Sequence, residues 1–309
     1  MGFNFLGKNR IAVFGSILFC LVMVAFPEVT ATASKQGILL WLNSIVPTLL
    51  PFFIFAGFLK KTGVANRVSP VIYPFVMAVL SGYPMGARIV GDYLRDGLVS
   101  KERGISLLSY SMVTGPAFMV GAIGVEFLGS YKCGVVMAVS HYLGALANGV
   151  FYSERGMGRG KSGTGEERLR HKPEARETSY YNIFTDAIID SFKSMAIVLA
   201  YIVIFMIICD FVEFSGILDI IGGETTSTIL RGMLEMTVGC SSLVASEGSL
   251  LMKTTIATFL VSFGGLSVLG QSMSMLGGSD IELPRVLLIK LTHGVLATII
   301  AFSLGCFVL

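Results

Sequence analysis

Long apolar stretches recur along almost the whole chain, most of them close to the ~20 residues that a membrane-spanning helix needs. The pattern predicts a helix over 11–26 and a second over 38–59, with Trp41 placed as an interfacial anchor. An apolar stretch at 69–94 follows, broken by Ser81-Gly82-Tyr83-Pro84-Met85-Gly86. The next, 104–128, is broken at Thr114-Gly115-Pro116, and a cleaner helix is predicted over 131–152. Beyond a polar interval, 182–214 begins amphipathically: Asp186, Asp190 and Lys193 stripe one face, as suits a helix that lies at the interface before it dives. The stretch 228–250 is broken at Val238-Gly239-Cys240-Ser241-Ser242, and 254–276 at Phe263-Gly264-Gly265, while 284–308 runs unbroken.

Read this way the chain has two matching halves. Each runs helix, broken segment, broken segment, plain helix. Thr62-Gly63-Val64 corresponds to Ser215-Gly216-Ile217, Gly115 to Gly265, and Ser140-His141 with Ala145 to Thr292-His293 with Ala297. The predicted organisation is an N-terminal helix (1–34), a first repeat (35–152), a basic cytoplasmic linker (153–179) and a second repeat (180–309).

Lys and Arg gather on the cytoplasmic side of a membrane protein, and their placement gives an orientation. With Lys8 and Arg10 inside, a hairpin at 69–94 keeps Lys60, Lys61, Arg67, Arg95, Lys101 and Arg103 inside together. No Lys or Arg occurs from 194 to 230, whereas Asp210, Glu213, Asp219 and Glu224 do, so that loop belongs outside. The first hairpin then dips in from inside and the second from outside. The expected fold is therefore an all-α polytopic membrane protein of two inverted-topology repeats. Each has a re-entrant hairpin and a broken transmembrane helix, and the N-terminal helix is additional.

Composition agrees. The 309 residues are 53% hydrophobic and only 14% charged, against roughly 25% charged in soluble domains. The net charge of +3 says little about partners, and no basic-aromatic pattern points to nucleic acid. The linker holds seven Lys/Arg (Arg155, Arg159, Lys161, Arg168, Arg170, Lys172, Arg176) and reads as a flexible tether or a basic lipid-binding patch. Ala31-Thr32-Ala33 resembles a signal-peptide cleavage site, but a retained helix is expected because more apolar segments follow. Cys20, Cys133, Cys209, Cys240 and Cys306 lie in apolar stretches without CxxC or Cys/His spacing. With no nucleophile elbow, HExxH, P-loop or GxGxxG in a credible context, no enzyme, metal or cofactor is expected. The expected partners are a small-molecule solute and membrane lipid, with a homo-oligomer left open.

Broken helices in hydrocarbon point to a site, because freed N–H and C=O groups survive only against protein or a watery cavity. Half-helix N-termini also attract anionic groups. The first tip offers Ser81, Gly82, Tyr83 and Pro84, with Arg88 one turn on, either snorkelling to the surface or facing an anion. Thr114 and Gly115 mark the second break, while Gly121 and Gly124 read as close-packing positions. Glu235, an acid within an apolar segment, is a functional candidate by default. Thr237, Gly239 and Ser241 extend its cluster, and Gly265 and Gln271 form the fourth element. His141 and His293 read either as proton relays or as hydrogen-bonded structure.

Five pieces carry a family resemblance: Asn43–Phe53, Ser81-Gly82-Tyr83-Pro84-Met85-Gly86-Ala87, Thr114-Gly115-Pro116-Ala117-Phe118-Met119-Val120-Gly121, His141-Tyr142-Leu143 and Glu235-Met236-Thr237. They resemble the sporulation integral membrane proteins of endospore-forming bacteria, which carry a nucleoside-recognition "gate" domain and are distantly similar to concentrative nucleoside transporters. The resemblance implies passage of dipicolinate into the forespore by alternating access; a nucleoside or nucleobase transporter and a non-transporting membrane scaffold of spore morphogenesis are the alternatives. It also implies residence in the cell membrane or the mother-cell-derived outer forespore membrane. By the same analogy, hairpin tips and unwound helices would hold the solute.

Overall fold

The computed structural model describes residues 10–63, 69–156, 179–218 and 222–309. Lys8, Val64, Arg67, Asp219 and the linker charges from Arg159 to Arg176 lie outside the described residues. Every described element is a helix. The described surface is apolar where lipid would lie, with Val150, Ile299 and Phe302 more than half exposed, and His141, Asn148, Glu235, Lys290 and His293 buried inside. That is the inverse of a water-soluble globule. Among the described residues four helices are long and apolar enough to span a bilayer, or five with one bent pair. The chain is an all-α polytopic integral membrane protein.

Helix α1 (Arg10–Ala25) ends at Phe26, and Pro27 begins α2 (Pro27–Leu40). Proline suits a first helical position, where its missing N–H is not needed. The two helices meet at 102°. The direction changes here, so α2 is continuous across residue 34 and begins well before the helix expected at 38–59. A widened turn at Trp41–Ile45 joins α2 to α3 (Val46–Lys61), with Val46 N–H donating to the Trp41 carbonyl. Pro47 just beyond has no N–H for a regular ladder, which accounts for the widening. The Trp41 indole donates to the Met195 carbonyl at 3.1 Å, tying this turn to helix α9 (Tyr180–Phe214).

The first hairpin is α4 (Tyr73–Ser81) and α5 (Met85–Arg95). Helix α6 (Lys101–Ser111) stops before the Thr114-Gly115-Pro116 break, and α7 (Phe118–Phe127), wound with five-residue spacing, follows it. Helix α8 (Tyr131–Gly156) closes the half. The second half has α9 (Tyr180–Phe214), a hairpin of α10 (Glu224–Leu234) and α11 (Met236–Ser242), a broken helix of α12 (Leu250–Phe263) and α13 (Gly265–Met275), and α14 (Leu283–Val308). The break expected at 238–242 lies at Glu235 instead, and Val238–Ser242 is helical.

Helices α2 and α3 pack on α9, and α8 packs on α14. The second pair is very close. A Cβ on Gly144 would lie 2.8 Å from Ala297 Cα, and the His141 and His293 rings are 4.7 Å apart. Gly124 faces Gly134 Cα at 2.6 Å from where its Cβ would be, so it is a packing glycine, whereas Gly121 faces nothing within 4 Å. Lys61 pairs with Asp190 at 3.0 Å, placing the end of α3 beside the start of α9. Phe26 meets Phe211 edge-on and Phe214 at a tilt at the other end of α9, with centroids 6.1 and 5.1 Å apart.

Candidate functional site

The first tip is built from residues that cannot continue a helix. Gly82 has φ 78° and ψ −169°, a region essentially restricted to glycine. A Cβ there would lie 3.1 Å from Gly115 N, so the tip presses directly on the break between α6 and α7. Ser81 is 1% exposed and its hydroxyl has no hydrogen-bond partner. The Tyr83 hydroxyl donates to the carbonyls of Val261 and Ser262 at 3.2 and 3.4 Å, crossing to the last turn of α12.

At the Met112–Gly115 break the freed backbone groups already have partners from the plain helices. Thr114 N–H donates to His141 Nε2 at 3.1 Å, and the Tyr142 hydroxyl donates to the Thr114 carbonyl at 2.9 Å. Because His141 Nε2 accepts, the proton sits on Nδ1, which faces Ser262 Oγ at 2.8 Å. His293 Nε2 in turn donates to the His141 carbonyl at 2.9 Å. Both histidines satisfy backbone inside the bundle, as hydrocarbon demands.

The second tip turns on a single residue. Glu235 is extended (φ −138°, ψ 113°) and caps α11 with its own carboxylate. Oε2 accepts from the Thr237 and Val238 amides at 2.8 and 2.9 Å, and the Thr237 hydroxyl reaches Oε1 at 3.4 Å. This N-terminus is therefore taken by the protein's own anion. The starts of α5 and α13 carry no side-chain cap. The fourth break presses on this tip as the second presses on the first. Gly264 and Gly265 have φ 86° and 71°, and a Cβ on Gly265 would lie 3.0 Å from Gly232 O and 3.1 Å from both Leu234 O and Met236 N.

A cavity of about 400 Å³ opens between these elements. The first tip lines it with Ser81, Gly82 and Tyr83, and the second break with Thr114 and Gly115. Glu235 and Thr237 line it from the second tip, and Gln271 from α13. Most of the remaining wall is apolar, including Leu49, Phe52, Phe118 and Ile202. Gln271 Nε2 reaches Ser267 Oγ at 3.3 Å, leaving its amide oxygen directed to no described partner.

Five expected site residues are not on this wall. Pro84 turns the tip behind Tyr83. Arg88 sits on α5 near Asp92 and Asp190 rather than in the cavity. Gly239 packs on Gly232, 2.2 Å from where its Cβ would be, and Gly265 packs on the second tip. Ser241 is exposed, with its hydroxyl bonded to Val238 in its own turn. Small residues in a broken segment serve close approach as readily as ligand contact; the sequence pattern does not separate the two uses.

Two polar residues escaped the sequence reading. Lys290, 1% exposed, donates to the Tyr83 hydroxyl and, at 3.0 Å, to the Met112 carbonyl. Asn148 donates to Ser109 O and Ile289 O at 2.8 and 3.1 Å, and accepts from Thr292 at 2.7 Å. A lysine within an apolar helix was the available signal for the first, by the rule that singled out Glu235.

No protein-family model matches the chain, and no solved structure does. The chain is similar to the curated protein "Sporulation integral membrane protein YlbJ" of Bacillus subtilis (strain 168). The two are 25% identical over 343 aligned residues, covering 96% of this chain and 83% of that protein. The likeness spans nearly the whole chain.

Proposed function

We propose that this protein moves a small polar solute across a membrane through the central cavity during sporulation, by alternating access of its two halves. One observation carries the reading: a single cavity of about 400 Å³ is lined from three helix interruptions and by Val268 and Gln271 on α13, the helix that follows the fourth. Interrupted helix at membrane depth needs a wet or protein-lined surround, and secondary transporters place their sites at such interruptions. Opposed hairpins support the motion. Arg95 at the end of α5 donates to Met275 O and Gly277 O at 3.0 and 2.8 Å, at the end of the bundle where α13 finishes. At the opposite end Arg231 on α10 pairs with Glu213 near the end of α9, at 2.9 Å. Two hairpins entering from opposite ends fit an inverted repeat.

The family resemblance makes dipicolinate the substrate of this proposal. A planar aromatic diacid suits apolar walls with a few polar groups. One carboxylate would lie at the first tip, near the unpartnered Ser81 hydroxyl and the uncapped start of α5. The Glu235 carboxylate would repel the other, so Glu235 carries a proton while the anion is bound. A second reading, a nucleoside or nucleobase, draws on Glu235 and Gln271 facing one cavity, since together they offer the acceptors and donor that read a polar base edge.

Uptake of dipicolinate into proteoliposomes, with and without a proton gradient, tests the proposal. We expect uptake that a gradient drives and nucleosides leave unchanged. Competition by nucleosides would favour the second reading, and no uptake of either solute would overturn transport.

A further inference from the structure

We infer that Lys290 is a tethered cation: its ammonium fills the place where a mobile monovalent cation would otherwise sit, between the C-terminal ends of the two broken helices α6 and α12. The Met112 carbonyl, which directly follows α6, accepts from Nζ at 3.0 Å. The Tyr83 hydroxyl accepts from the same ammonium and donates onward to Val261 O and Ser262 O, in the last turn of α12. Nζ also stands 4.3 Å from the centroid of the Tyr83 ring. Last-turn carbonyls carry the negative end of a helix dipole, and unwound carbonyls with half-helix C-termini are the groups that coordinate coupling cations in transporters with broken helices.

A buried lysine ordinarily pairs with a carboxylate. Among the described residues Lys290 makes no ion pair. Its titratable neighbours besides Tyr83 are His141 and His293, fully buried and bonded to backbone, and neither supplies negative charge. The compensation comes from carbonyl and hydroxyl dipoles at the junction of the first tip with two breaks, which is how a cation site is made. With an ammonium fixed there on α14, solute movement has no use for sodium at this position. The inference goes beyond the proposed function and needs only the fold, so a failure to transport dipicolinate does not bear on it.

The test is thermal unfolding of the full-length protein in detergent. Sodium, potassium, lithium or methylammonium chloride is titrated against choline chloride at constant ionic strength. Wild type is expected to show no shift specific to any of these cations. Lys290→Ala, with the ammonium gone and the carbonyls left, is expected to gain a saturable rise of about 2–6 °C with at least one of them, as for a site filled well above its dissociation constant. Lys290→Gln, which keeps one donor for the Met112 carbonyl, goes through the same titration with the same criterion. A cation-specific rise in wild type would overturn the inference. So would the absence of such a rise in both variants, or failure of both to yield folded protein in every cation, since a true cation site would accept a mobile ion in place of the lysine.

Discussion

The two hairpin tips face the same cavity with opposite chemistry. The first is neutral: Ser81 leaves a free hydroxyl, Gly82 makes the turn, and α5 starts without a side-chain cap. The second is anionic and self-satisfied, because Glu235 holds the first amides of α11. One residue thus decides whether a half-helix N-terminus is an anion site or an acceptor site. At the second tip the attraction of a half-helix N-terminus for anions is already met, because the protein has placed a carboxylate of its own there.

Removing that difference should have the largest effect. Glu235→Gln keeps a carbonyl acceptor for the Thr237 and Val238 amides, so stability should fall by no more than about 1–2 kcal/mol. Uptake should fall at least ~10-fold, and its dependence on a proton gradient should vanish, as expected for an intramembrane acid that carries a proton. A variant that keeps gradient-driven uptake would remove Glu235 from the mechanism. Gly82→Ala attacks the other tip through its backbone. It should cost about 1–3 kcal/mol in denaturation, because alanine is strained at φ 78° and ψ −169°.

These residues also mark how far the sequence could be read. The interruptions at Ser81–Gly86, Thr114–Pro116 and Phe263–Gly265 were legible, because Gly and Pro state locally that a helix cannot continue. The second tip was misplaced by a few residues. Cys240-Ser241-Ser242 looks like a turn in composition, yet Glu235 provides the cap that lets a short helix start earlier. Lys290 lies two turns into α14, where the sequence fits a side chain that snorkels to the surface; which face of a helix meets a neighbour is decided by tertiary packing. Arg88 was ambiguous for the same reason. The bend at Phe26 and the widened turn at Trp41–Ile45 have Pro27 and Pro47 beside them, but a proline fixes neither the angle nor the partner.

Smaller effects sharpen the contrast between junction and surface. Tyr83→Phe removes the hydroxyl that links Lys290 to the end of α12, and should destabilise by about 1–2 kcal/mol in thermal or denaturant unfolding. Ser241→Ala should change stability by no more than about 0.5 kcal/mol and leave uptake at the wild-type level, since its hydroxyl serves only its own exposed turn. A loss of uptake there would return Ser241 to the site.

The most direct measurement asks whether three interruptions and the helix after the fourth share one wet pocket. Ser81, Thr114 and Thr237 at the interruptions, and Gln271 on α13, are changed singly and in pairs to cysteine in a background without the native cysteines, and treated in membranes with a small water-soluble thiol reagent. All four should react, Ile299→Cys on the outer face of α14 should not, and prior modification of any one with a bulky reagent should block its partner in each pair. Positions that stay unreactive, or that react without blocking one another, would contradict a common cavity.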